Sequence, residues 1–105
     1  MKYGIKEKDI RRMVNLFLDS RGFRTTNTAN PPTPNEDVFF YDGTEQLMYY
    51  QSQYSQLLID KELLKLVSAV FGIQIDRSRK LVKLWVENKL NVKISNVPNY
   101  QGRIR

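Results

Sequence analysis

The chain has 105 residues, with 17 Lys or Arg against 11 Asp or Glu, and a formal charge of +6 at pH 7. It contains no His and no Cys. That excludes a disulfide framework, a zinc finger, a thiol nucleophile and an imidazole base or ligand. The rest of the composition, 41% apolar and 27% charged, is that of a globular domain, and the length predicts one domain over 1–105.

Charge is unevenly placed. Residues 1–24 carry seven basic and three acidic side chains, 25–60 carry five acids and no base, and 61–105 carry ten bases and three acids. This pattern predicts one polyanion-facing end and a separate, acidic surface; the plainer reading is that folding brings the segments together and they neutralise one another. No apolar run reaches the ~18 residues of a membrane span. MKYGIKEKDIRR is not followed by the apolar segment of a signal peptide. The expected placement is intracellular, in cytoplasm, nucleoid or nucleus, with no membrane partner.

Ile10, Met13, Val14, Phe17 and Leu18 fall at i, i+3, i+4, i+7 and i+8. The spacing predicts an amphipathic helix over 6–21, ended by Gly22 with Phe23 in apolar contact. Residues 24–37 contain Pro31, Pro32 and Pro34 and read as a mobile Pro-rich loop. In 38–58 two readings compete. Asp42-Gly43 is a hairpin turn signal. Alternatively, Asp42-Gly43-Thr44-Glu45 is a capping box opening a helix over 44–58, with Leu47, Tyr50, Tyr54, Leu57 and Leu58 on one face. The sustained helical spacing favours a short strand at 38–41 followed by that helix.

Asp60 caps a helix over 61–71 built on Leu63, Leu66, Val67, Val70 and Phe71, and Gly72 ends it. Asp76 caps a further helix over 77–89. Val92 and Ile94 alternate with Lys93 and Ser95, which predicts a short strand. Residues 98–102 read as a turn, and 103–105 as the return strand of a hairpin.

On the 77–89 helix, Leu81, Val82, Leu84, Trp85 and Val86 gather on one side and Arg79, Lys80 and Lys83 on the other. Docked on helix 61–71, it would hold those cations outward, where Lys and Arg can meet phosphates or guanine edges in a major groove. Lys93, Arg103 and Arg105 follow on the basic hairpin.

At these residues the chain resembles a winged helix-turn-helix. LLKLVSAVFGI is similar to its first helix and glycine-containing turn, DRSRKLVKLWVENKLNVKI to a recognition helix entering a wing, and NYQGRIR to the wing tip and its return. The resemblance covers about residues 60–105. It implies a mainly α fold: a small helical domain with a C-terminal helix-turn-helix followed by a short β-hairpin, its helical core spanning 44–105. The same stretch also resembles the start of a SWIB domain, through Glu62-Leu63, Gly72, Ser78-Arg79, Val82, Trp85 and Leu90. That resemblance implies a peptide-binding chromatin or transcription module. The helices that should follow in a SWIB domain are missing.

Plainer readings stand beside these. Trp85 is core, Arg79, Lys80 and Lys83 are a solvated face, and Tyr49, Tyr50 and Tyr54 are core and rim, or a protein-contact patch. Without His, acid–base work would fall to carboxylates, Lys or Tyr, and these do not cluster. The glycines are isolated, so no phosphate loop exists. The expectation is a non-enzyme without cofactor or metal. The leading reading is a DNA-binding regulator of transcription or replication, or a DNA-packaging protein. Arg77, Arg79, Lys80, Lys83, Lys93, Arg103 and Arg105 would meet double-stranded DNA, and helix 6–21 would brace the domain or form a homodimer. The alternative is a protein–protein adaptor or assembly subunit, a viral one included, acting through the acidic aromatic segment 38–58. RNA binding by the same basic surface is a third.

Overall fold

A computed structural model of the chain describes residues 7–27 and 37–98. Its elements are α1 (Glu7–Ser20), β1 (Arg24–Asn27), β2 (Val38–Asp42), β3 (Glu45–Gln51), a 3-10 turn at Ser52–Tyr54, β4 (Gln56–Ile59), α2 (Lys61–Phe71) and α3 (Ile75–Leu90). The strands form one antiparallel sheet in chain order β1-β2-β3-β4. The fold is therefore α+β, not the mainly α winged helix that the sequence predicted. The sheet lies between α1 and α2 in the chain, where a 44–58 helix was expected.

The physical reason is visible in the strands. Val38 and Phe40, Met48 and Tyr50, and Leu57 and Ile59 are all buried. This is the alternation of a half-buried antiparallel sheet. It is hidden by a β-bulge: the register shifts between Phe40 and Tyr41, so that Phe40 faces Met48 while Tyr41 faces Gln46. The extra residue, Leu47, turns inward beside Met48, since both are buried. The bulge and the 3-10 turn together imitate helical spacing. Tyr54, expected on the apolar face, is 61% exposed. Gly43 takes φ +66° between β2 and β3, where two-residue hairpin turns need a positive φ. Aromatic and β-branched side chains suit this pleated surface.

Two further expectations are corrected. Residues 24–27, read as loop, are β1, with Arg24 opposite Tyr41 and Asn27 opposite Val38. Residues 92–95 form no wing strand. The segment instead runs back along β4, with the Leu57 N–H donating to the Asn96 carbonyl (3.0 Å) and Ile94 1% exposed in the core. The turn at 99–102 and the return strand at 103–105 lie outside the described residues.

The helix ends follow local chemistry. Asp60 caps α2 by accepting the Glu62 N–H (2.8 Å), and Gly72 closes it with φ +64°. Gly22, at φ +67°, follows α1, and Phe23 packs 5.6 Å from the Trp85 ring. The cap of α3 is Gln74 rather than Asp76, which sits in its first turn. One hydrophobic cluster joins the helices to the inner sheet face: Ile10, Val14 and Leu18 of α1, Leu63, Leu64 and Val67 of α2, and Leu81, Val82, Trp85 and Val86 of α3. Met13, expected with them, is 40% exposed.

Candidate nucleic-acid interface

Helices α2 and α3 are joined by three residues, Gly72–Gln74, a short glycine-containing connection. The Ile73 N–H donates to the Ser68 carbonyl, and Ser68 Oγ returns a bond to the Ile73 carbonyl. These bonds tie the turn to the last coil of α2. Helix α3 docks by Ser78, Leu81, Val82, Trp85 and Val86, all buried. Ser78 belongs on this face because its hydroxyl donates to the Gln74 carbonyl (3.2 Å), so no polar group is orphaned. At 100° per residue, the opposite face carries Asp76, Lys80, Lys83 and Glu87.

The predicted contact residues separate into four groups. Lys80 is exposed and Lys83 half-buried, one turn apart on the solvent side, and neither makes an ion pair among the described residues. Arg79 departs from its expected place: its side chain is only 15% exposed, and its Nη1 donates to Asp76 Oδ1 (2.6 Å). An i,i+3 acid–base pair at the start of a helix favours that local partner over an outward reach. Arg77 is half-buried and also has an interaction partner. Lys93 is exposed on the strap after α3, not on a wing. Arg103 and Arg105 lie outside the described residues.

The acids on this face are engaged. Asp76 holds Arg79, and Glu87 Oε2 accepts the Ile94 N–H (2.8 Å), anchoring the strap. Lys80 and Lys83 are thus cations of this face that no carboxylate pairs, while Glu87, accepting an amide N–H, keeps its negative charge beside them. Helix α3 is also pinned at its far end. Asp19 Oδ1 of α1 accepts both the Trp85 indole N–H (2.9 Å) and Lys89 Nζ (3.0 Å). The indole and Lys89 bonds hold the Asp19 carboxyl below the usual carboxylate range. Lys89 also lies 5.5 Å from the Trp85 ring centre.

The sheet's outer face was not read from the sequence. Opposed residues of antiparallel strands share a side, so Thr26, Phe39, Tyr49 and Leu58 form a row across all four strands. The Phe39 and Tyr49 rings stack at 4.2 Å, and Arg24 lies over the Tyr41 ring. Asp37 accepts from the Tyr49 hydroxyl (2.9 Å) and the Ser52 N–H (2.9 Å). Burial pushes Asp37 up, but these bonds, together with one from the Ser52 hydroxyl, outweigh it and hold the carboxyl low. The Asp42-Gly43 turn signal could have revealed this face, had the bulge not masked the alternation.

Among the described residues no three His, Cys, Asp or Glu side chains gather as a metal site, and no helix is long and apolar enough to cross a membrane. Comparison with family models, with curated proteins and with solved structures finds no match for the chain.

Proposed function

We propose that the chain is a non-catalytic, intracellular nucleic-acid-binding protein that meets double-stranded DNA through α3, as a regulator of transcription or replication. The observation that carries this reading is the α2–turn–α3 pair, with Lys80 and Lys83 unpaired on the solvent face of α3. A helix of this size fits a major groove, and lysines on its outer side neutralise phosphates. Arg77 on α3 and Lys93 on the strap after it add to the positive charge of this part of the chain. Arg79 serves α3 itself, through Asp76. The overall charge of +6 supports association with a polyanion.

In this reading α1 braces α3 through Asp19. Its Met13 and Leu16, 40% and 61% exposed, give a second copy of the chain a surface to meet, as binding to two half-sites would use. The test is fluorescence anisotropy with a labelled duplex of about 30 base pairs at about 50 and 200 mM salt. Binding that weakens steeply with salt supports the reading; no binding at the lower salt overturns it.

A second reading, a protein–protein adaptor or assembly subunit acting through 38–58, is favoured by the aromatic outer row of the sheet. Tyr and Phe are enriched at interfaces. Binding to a protein partner that is insensitive to salt and lost in Phe39→Ser/Tyr49→Ser would favour it over DNA.

A further inference from the structure

A cavity of about 470 Å³ lies where the C-terminal ends of α1 and α3 meet the sheet. Its deep residues are buried: Val38, Phe40 and Tyr50 from the inner sheet face and Trp85 from α3. Its mouth is formed by exposed residues, among them Asp19, Thr25 and Lys89. The size falls within the range of small-molecule sites, and apolar, aromatic walls with a few polar groups are the usual lining of one.

Three features define what would fit. The first is aromatic: Trp85 packs against Phe23 at 5.6 Å and Phe40 at 5.8 Å, and all three rings line the space. Such walls favour a flat ring system over a branched chain. The second is Tyr50. It is 3% exposed, and its hydroxyl has no hydrogen-bond partner among the described residues. The oxygen keeps some access to solvent, so it can donate to an acceptor on a ligand in the cavity. Burial, with the charge of Asp37 added, pushes Tyr50 up, so the group stays a donor at neutral pH. The third is charge. Asp19 and Lys89 neutralise each other across the mouth at 3.0 Å, so no uncompensated charge faces the space.

We propose that this cavity binds a neutral, planar, mostly apolar small molecule carrying one hydrogen-bond acceptor directed at Tyr50. The site stands whether or not α3 binds DNA, since it uses the buried face and far end of that helix.

The probe is quinoline, a neutral two-ring molecule with one acceptor nitrogen. The chain has a single tryptophan, so the indole N–H cross-peak of isotope-labelled protein reports on this cavity without ambiguity. Titration is expected to shift that peak and saturate below about 5 mM. Tyr50→Phe should weaken binding about fivefold, the loss of one hydrogen bond. Thr25→Trp places a large side chain at the mouth, on an exposed position of edge strand β1, and should abolish the saturable shift while leaving the melting temperature unchanged. Absence of a saturable shift in the native chain overturns the proposal. So does equal affinity in the Thr25→Trp variant, and equal affinity in Tyr50→Phe removes the assigned donor.

Discussion

The two ends of α3 are held in different ways. At the C-terminal end, Trp85 sits between Phe23 and Phe40 and donates to Asp19, 66 positions earlier in the chain. Asn91 then closes the helix at φ +55°, and Glu87 holds the strap that follows. At the N-terminal end the helix is preceded by Gln74, whose side chain makes no capping bond, and Arg79 pairs with Asp76 one turn away. One end is fixed by tertiary contacts, and the other has an uncapped start and carries the exposed Lys80. Substitution at the first should cost stability, and substitution at the second should change what the surface attracts.

The largest expected effect is at the pinned end. Trp85→Ala should destabilise the fold by about 3–5 kcal/mol, because it empties a buried volume between two aromatic rings. Urea unfolding measures this. A loss of under about 1 kcal/mol would show that α1 and the sheet hold together without the indole. Next comes Lys80→Glu with Lys83→Glu. Its stability should stay within about 0.5 kcal/mol of the native chain, as for most surface changes. Its duplex affinity should fall about tenfold or more, with the salt slope reduced by about 2. Unchanged affinity in anisotropy titrations would remove α3 as the DNA-facing element.

Gln74→Ser tests the open end directly. A capping hydroxyl where none now acts should raise stability by about 0.5–1 kcal/mol, read as an increase in the urea midpoint without a change in slope. The smallest effect is in acid. Asp19 is held below its usual value by the Trp85 indole and Lys89, and a carboxyl lowered in the folded state stabilises it fully above the unfolded pKa, near 3.8. That contribution is lost as the pH falls through the lowered folded value. Urea midpoints followed from about pH 5 down to about pH 2 should therefore decline less steeply in Asp19→Asn than in the native chain.

Much of the helical half was legible because its signals are local. The apolar stripe of α1, the Asp60 cap, the glycine after α2 and the extent of α2 are all written within a few residues of where they act. The start of α3 was misplaced by two residues, since Asp76 reads as a cap but serves as a first-turn acid paired with Arg79. The sheet was not legible as a whole. The Asp42-Gly43 turn was visible, yet Leu47 at the bulge broke the alternation of β3 and lent it a helical spacing. β1 has too little apolar content to be recognised without β2 beside it.

The candidate interface divides in the same way. The sequence by itself determined the basic excess, the amphipathic helices and the side of α3 on which Lys80 and Lys83 stand, because charge and 3.6-residue periodicity are properties of the chain alone. Only the tertiary structure decided that Arg79 turns to Asp76 and that Ile94 enters the core in place of a wing. Tertiary contacts likewise decided that Phe39 and Tyr49 stack on an outer sheet face and that Tyr50 lines a cavity under Trp85. Each of those outcomes depends on which distant residue arrives as a neighbour, and a pairing register or a buried contact has no local spacing from which to be read.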